Sequence, residues 1–508
     1  MSHWIIAPVV LPAVLGPLIV LLMRNDLTLQ RVFSLAGTLA LLAISVALLA
    51  AASSAGPEVY LLGNWPAPFG IVLVLDRLSA LLVLLTAMLA VAVLLYVIGT
   101  GWDARGRHFH ALFQFQLMGI CGAFLTGDAF NLFVFFEVLL IASYGLMIHA
   151  GGGARLRAGV QYIAYNLAGS TLFLFALATV YSVTGTLNMA DLSVKIAALP
   201  EGDAALIRVA GVLFLIVFAV KGALVPMQFW LPNTYALAPG PVAALFAVMT
   251  KVGAYAILRF FTLMFGPDVP ATGTFYAEIL YPAALLTLVV GMVGILGAKG
   301  LARLVAFAAI GSMGTLFLGM APFSPQTTAA VLYYLVHSTL ATAALFLIAD
   351  MVLERRGTDT LAAPRPPIPQ NGLIAALFFA GAIAIAGLPP LSGFVGKLLI
   401  LDALRNTGPY VLAWSAILIT SLIAVAGLAR AGSLLFWKAY ESPPEPVPHD
   451  IPPPARALPF VAVGLLLAGL VAMTVLAGPI MGWMEETAAQ VHDPRPWIDA
   501  HALPQEEE

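Results

Sequence analysis

The chain has 508 residues, 61% of them hydrophobic and only 9% charged, with a formal net charge of -2. Soluble domains carry roughly 25% charged residues, so this composition excludes a soluble protein of ordinary make-up, and so small a net charge gives no reason to expect a nucleic-acid partner. A single cysteine, Cys121 within an apolar run, excludes an internal disulfide framework and a cysteine metal cluster, and it reads as a small buried hydrophobe.

At about 20 residues per spanning helix, hydropathy and breaker residues place spans near 3–23, 32–52, 72–99, 111–126, 128–149, 158–184, 205–233, 240–260, 276–297, 300–320, 326–351, 371–405, 409–436 and 457–481. The expected fold class is an all-α polytopic membrane protein of about 14 transmembrane helices, with connections too short for an extramembrane domain. The opening SHWIIAPVVLPAVLGPLIVLLMR has no Lys or Arg before Arg24, unlike a cleaved signal peptide, and reads as an uncleaved first span. Loops after odd-numbered spans hold Arg24, Arg31, Arg105, Arg107, Arg155, Arg157, Lys299, Arg303, Arg355, Arg356, Arg365, Arg430, Lys438 and Arg456. Even-side positions hold only Lys195, Arg208, Arg259, Arg405 and Arg495. Basic residues collect on the cytoplasmic side, so the bias predicts odd-side loops inside and both termini outside. The stretches 352–370 and 439–456 are proline-rich and read as extended connectors, and the tail from Glu485 to Glu508 is acidic.

Spans seven and twelve are long and interrupted, the first at KGALVP from Lys221 to Pro226 and the second at GLPPLSG from Gly387 to Gly393. They lie five spans apart. A unit with an odd number of helices inserts the opposite way round when it recurs, so the spacing predicts two inverted five-helix repeats, spans 4–8 and 9–13. The expected organisation is N-terminal helices 1–3 over 1–110, a first repeat over 111–260, a second over 276–436, and a proline-rich loop, helix 14 and tail over 437–508.

Five ionisable residues fall well inside spans: Glu137, Lys221, Lys251, His337 and Lys397. A charge at a helix centre costs roughly 2.5–3.5 kcal/mol on insertion scales, so each marks a candidate ion path. Snorkelling does not rescue Glu137 and Lys251, which stand about nine to eleven residues from their span starts, roughly 14–16 Å deep. Glu137, in NLFVFFEVLLIASYGLM, needs a buried cation to stay ionised, and Lys221 is the natural partner; the plainer alternative is a fixed ion pair that only orients two helices. Lys221 sits where its helix breaks, and Lys251 follows after a proline-rich turn. A buried lysine loses its charge by desolvation and regains it from a nearby carboxylate, which is the switch a relay requires. His337, in VLYYLVHSTLATAALF, is either a hydrogen-bonded core group or a relay member flanked by Ser338, Thr339 and Thr342. Lys397, in LSGFVGKLLIL, repeats the break-plus-lysine pattern and fits an exit position.

Other polar residues are weaker candidates. His108 and His110 in RGRHFH read as a solvated loop face, and Asp76 with Arg77 as a local ion pair or interface anchor. Asp128, Glu278, Asp350 and Asp402 lie near span ends, where solvation is cheap. No phosphate-binding loop, dinucleotide fingerprint or His/Cys cluster at metal spacing is present, so neither a metal nor a cofactor is expected.

The stretches FFEVLLIASYGLM, KGALVPMQFWLPNTYALAPGPVAALFAVMTKVGAYAILR and GLPPLSGFVGKLLIL make the chain resemble the antiporter-like subunits shared by Mrp-type cation/proton antiporters and respiratory complex I, with the D-type Mrp subunit nearest in pattern. The resemblance extends over nearly the whole chain. It implies a fourteen-helix subunit with a central polar axis, in which Glu137 and Lys221 form an ion pair, Lys251 is the connecting lysine, His337 belongs to the relay of span eleven and Lys397 is the terminal lysine. It also implies a bacterial cytoplasmic membrane location and an assembly with the other Mrp subunits, of types A/B, C, E, F and G. Asn233 stands in WLPNTY where relatives would be expected to carry an aspartate, and no long lateral helix follows span fourteen. The expected function is therefore a proton-translocating subunit of a multisubunit Na+(K+)/H+ antiporter, a secondary transporter rather than an enzyme, acting on protons and monovalent cations in a lipid bilayer. The alternatives are a proton-pumping membrane subunit of a quinone- or hydrogenase-linked redox complex, and a passive scaffold around another subunit's ion path.

Overall fold

The computed structural model describes residues 2–200, 204–408, 410–441 and 457–503. Apolar runs become helices because a bilayer offers no partner for backbone N–H and C=O groups, which must bond within each segment. The first are α1 (Ala7–Leu22), α2 (Leu27–Ser54), α3 (Arg77–Thr100), α4 (Phe109–Leu125), α5 (Ala129–Met147) and α6 (Gly153–Thr184). Next come α7 (Met189–Ala197), α8 (Ala205–Gly222), α9 (Trp230–Leu237), α10 (Gly240–Leu263), α11 (Phe275–Gly297), α12 (Leu301–Met320) and α13 (Pro325–Arg356). The rest are α14 (Asn371–Ala386), α15 (Ser392–Leu404), α16 (Tyr410–Gly432), α17 (Ala457–Val475), α18 (Ala477–His492) and α19 (Arg495–Asp499). Side-chain caps fix several starts: Asp26, Asp76, Asp128, Asn188 and Ser324 accept from the first turns of α2, α3, α5, α7 and α13. Among the described residues, 11 helices are long and apolar enough to cross a membrane, and α1, α4 and α14 are shorter apolar helices. Helix α10 lies wholly inside the bundle and α13 almost so.

The two interrupted spans break where the sequence places the breaks, into α8 with α9 and α14 with α15. Loops also sort by parity. Arg31 meets Asp103 at 2.6 Å, Arg105 meets Glu354 at 2.5 Å, Arg155 donates to the Leu237 carbonyl, Arg303 to Asn233 and Arg430 to the Ala298 carbonyl, all odd-side groups gathered at one arginine-rich end. At the opposite end Arg208 donates to the Ala271 carbonyl, Ser193 to the Leu263 carbonyl, and Arg77 pairs with Glu486 at 2.6 Å.

Several details depart from the sequence reading. The Val72–Leu75 segment, expected to open span three, is strand β2 and pairs antiparallel with β1 (Glu58–Leu61); a short Val/Leu run fits a strand as well as a helix. Helix α7 buries Met189, Leu192 and Ile196 along one face, a stripe too short to register as a span. Span fourteen ends at Val475, and the expected acidic tail continues instead as α18 and α19, with Trp497 and His501 buried. The proline-rich stretch at 439–456 lies outside the described residues from 442 onward, as does the end of the tail from 504.

Polar residues read as solvated, His110, Asp128 and Asp350, are buried, and so is Arg259. Asp350 is held by Tyr96 at 2.8 Å and Trp102 at 2.9 Å. Arg259, counted at the even-side end of its span, lies inside α10 and pairs with Asp76, so Asp76 is not the partner of its neighbour Arg77. His110 is fully buried, its Nε2 3.0 Å from Asp103, which also binds Arg31 in bidentate fashion. Burial alone would raise the Asp103 carboxyl, but hydrogen bonds from Arg31 and His110 outweigh it and hold the group at about 2.

Asp103→Asn is expected to lower stability at neutral pH by about 1.5–3 kcal/mol, the worth of hydrogen bonds to a charged group. A depressed carboxyl contributes stability above its ordinary value of 3.8 and loses it as pH falls through about 2. Thermal unfolding in detergent should therefore separate variant from wild type at pH 7 and bring them together in strong acid.

Candidate functional site

A helix that stops inside the bundle leaves its last carbonyls without intrahelical partners. At each break a side-chain donor from beyond the break reaches an end carbonyl, though the donor differs. In the first, Ala223 takes a left-handed conformation with φ of 55° to end α8, and the indole of Trp230, the first residue of α9, donates to the Val220 carbonyl at 2.9 Å. In the second, Gly387 ends α14 with φ of 80°, and Lys397 from α15 donates to the Ala386 carbonyl at 2.8 Å and to Ser421 of α16 at 2.8 Å. The prolines set these ends, since Pro226, Pro389 and Pro390 supply no N–H to continue a helix. The break-plus-lysine pattern is thus present twice, but only Lys397 is tied to the broken end itself.

Lys221 is buried at the last turn of α8, and its ammonium donates to Asn166 of α6 at 3.0 Å. Phe136 presents its ring 5.7 Å away, a cation–π contact. Glu137 of α5 is half-buried and accepts from Ser170, one turn beyond Asn166 on α6. The contact ion pair expected of Glu137 and Lys221 is therefore not formed: α6 supplies each with a neutral partner, Asn166 for the lysine and Ser170 for the carboxylate. A cavity of about 10 Å³, bounded by Asn166, Lys221, Trp230, Met249 and Val252, extends from Lys221 to α10. A water centre needs about 10–15 Å³, so this space is on the scale of a single water.

Helix α10 approaches the first break through Gly253, where a Cβ would come within 2.6 Å of the Gly222 nitrogen. Lys251, two residues earlier, is buried and reaches Met313 of α12 at 3.4 Å, a weak thioether acceptor. Beside Met313, Ser312 donates to the Tyr334 hydroxyl at 3.1 Å, and the Tyr334 ring lies 5.6 Å from that of His337. His337 is fully buried, with Nδ1 2.9 Å from Ser392, the first residue of α15, and Nε2 without a hydrogen-bond partner among the described residues. The flanking hydroxyls do not serve it, because Ser338 and Thr339 bond back to the Leu335 carbonyl of their own helix. A glycine at 393 is required here, since a Cβ would sit 1.9 Å from the Ala384 oxygen and 2.8 Å from the imidazole.

Lys251, His337 and Lys397 thus lie on helices packed about the second break, with Ser312, Tyr334, Ser392 and Ser421 among them. Lys221 adjoins α10 across Gly253. Of the added members, Asn166 could have been singled out from the sequence, as a carboxamide in an apolar span. The serines and Tyr334 carried no such signal, because hydroxyls in helices usually bond to their own backbone. Among the described residues no group of three or more His, Cys, Asp or Glu could hold a metal ion.

The family model described as NADH:quinone oxidoreductase/Mrp antiporter, TM, matches residues 126–424, which take in all five candidate residues. The chain is 39% identical to the D-type subunit of a probable K(+)/H(+) antiporter of Rhizobium meliloti strain 1021, covering 96% of this chain and 95% of the relative. It is 37% identical to the D-type subunit of the Na(+)/H(+) antiporter of Bacillus subtilis strain 168, covering 98% and 99%. Among solved structures, a chain of the Mrp complex from Dietzia sp. DQ12-45-1b superposes with a TM-score of 0.88 at 28% identity, covering 99% of this chain and 100% of that one.

The geometry makes Asn166 the direct partner of Lys221. Asn166→Leu should destabilise the protein by about 1–3 kcal/mol, because it strands a buried donor. Adding Lys221→Met should recover most of that loss, and thermal unfolding of the single and double variants in detergent measures the coupling.

Proposed function

Because the chain belongs to the NADH:quinone oxidoreductase/Mrp antiporter family of transmembrane proteins, we propose that it is the proton-translocating, D-type subunit of a multisubunit Na+(K+)/H+ antiporter. In this reading it works in a bacterial cytoplasmic membrane with the other subunits of an Mrp-type complex, and it transports rather than catalyses. The arginine-rich end faces the cytoplasm, and both termini lie outside. The observation that carries the proposal is the run of buried ionisable and hydroxyl groups from Lys221 to Lys397, which links the two broken helices through the middle of the bundle.

Protons reach the axis at Lys221 and pass by Lys251 and His337 to Lys397, which communicates with the opposite side. Charging Glu137 raises the proton affinity of Lys221 through the Asn166–Ser170 layer, and neutralising it lowers that affinity. Glu137 is half-buried and stands at the edge of this chain, so its charge can answer to a neighbouring subunit. Each charge moved across the membrane carries about 2.3 kcal/mol per 100 mV, which is the driving force available for cation export.

Two inverted five-helix repeats, over 111–260 and 276–436, fit the same picture. Helices α6 and α13 each have 32 residues and each flanks a break. Asn166 lies thirteen residues past Gly153 and His337 twelve past Pro325, so the two bonds to the break-bearing spans come from matching positions. The relatives' names favour the antiporter over a redox-driven pump.

Glu137→Ala and Lys221→Ala should each abolish cation-dependent proton exchange in vesicles while the complex still assembles. Near-normal exchange in both variants would overturn the proposal for this pair.

A further inference from the structure

Lys251, Tyr255 and Arg259 occupy successive turns of α10, the most buried helix of the bundle, and they lead from the proposed relay to the end opposite the arginine-rich one. Such a polar stripe would offer protons a direct way out beside the lysine axis. Its chemistry is that of a stopper. The Tyr255 hydroxyl donates to the Phe124 carbonyl at 2.9 Å, so its proton is committed to a fixed backbone acceptor. Arg259 follows, 5% exposed, with its guanidinium 2.5 Å from Asp76 and 5.5 Å over the Tyr255 ring. Guanidinium groups are not deprotonated in proteins, so Arg259 cannot accept and release a proton as a lysine or histidine does. Its fixed charge, poorly screened in a buried site, also repels any second cation that approaches. Asp76 is itself held in place, because its other oxygen accepts from the Ser79 nitrogen at 2.8 Å to cap α3.

The chain then folds back over this pair. The Trp497 ring, 3% exposed, covers Arg259 at 5.6 Å. The His501 ring lies 4.3 Å from that of Trp497, tilted by 38°, and its Nδ1 donates to the Trp497 carbonyl at 2.8 Å, which locks the strap as a turn. Across it lies Gly127, where a Cβ would stand 3.1 Å from His501 Nε2, so the strap is pressed against the loop that caps α5.

We propose that the Asp76–Arg259 pair, roofed by Trp497 and His501, is an electrostatic seal that prevents proton escape from Lys251 along α10 and forces traffic sideways to His337 and Lys397. Arg259 and Trp497 are then coupling residues: they conduct nothing, and their loss converts an exchanger into a leak. The proposal rests on the reading that Lys251 carries protons.

The test is proton leak in vesicles holding the assembled complex, measured after an imposed pH jump with no transported cation present, beside cation-dependent exchange in the same vesicles. Arg259→Gln should raise the leak by about tenfold or more, equivalent to a modest loss of barrier height. Trp497→Ala, which leaves the ion pair intact and lies in the peripheral strap, should raise it several-fold. Adding Lys251→Ala to either variant should return the leak to the wild-type level. An unchanged leak in Trp497→Ala or in assembled Arg259→Gln would overturn the seal, and so would a raised leak that survives Lys251→Ala. Lys251→Ala alone separates the two ideas: retained exchange would sink the relay, whereas lost exchange with an unchanged leak in the seal variants would sink the seal only.

Discussion

Everything in this bundle is arranged around the problem of an ammonium group next to a helix end in an apolar interior. A broken helix presents carbonyl oxygens, a buried lysine presents donors, and each is costly without the other or a substitute. The two breaks resolve the problem differently. At the second, Lys397 satisfies the Ala386 carbonyl and Ser421 directly, so its charge is anchored to backbone. At the first, Trp230 takes the Val220 carbonyl, three residues before the left-handed Ala223, and Lys221 bonds the Asn166 carboxamide instead. With an indole on that carbonyl, Lys221 is not tied to the broken end, which suits it to the adjustable role proposed for it.

Helices α6 and α13 extend this contrast. Both are long, both flank a break, and both place a polar side chain at nearly the same depth, but α6 offers a carboxamide that cannot titrate and α13 an imidazole that can. In the proposed relay, the first half holds a charge that answers to Glu137, and the second half holds a titratable group among Lys251 and Lys397. Close backbone approach at Gly253 and Gly393 is what brings these groups within reach, and a side chain at either position would push the helices apart.

Much of this was legible from residue types alone. Proline and glycine marked the breaks, and the cost of a charge in hydrocarbon marked Glu137, Lys221, Lys251, His337 and Lys397, because few other reasons keep such residues in apolar spans. Parity of the basic loops was legible too, since the odd-side groups do meet one another. What stayed hidden depends on distant partners. Asn166 and Ser170 each bond a charge that composition alone would pair directly with the other, and no one-dimensional pattern says which helix supplies the neutral partners. Arg259 and Asp76 are 183 positions apart, so Asp76 reads as a local pair with Arg77 and Arg259 as one more basic residue at a span end. His110 and Asp350 failed for the same reason: their distance from a span end measured depth correctly, but not whether loops close over them.

The central claim, that the buried axis carries protons to an outlet at Lys397, is tested most directly by cation-dependent proton flux in vesicles holding the whole complex, wild type against Lys397→Ala. The account predicts that flux in the variant falls to the level of protein-free vesicles although the complex is present in normal amount. Flux within a factor of two of wild type would contradict it.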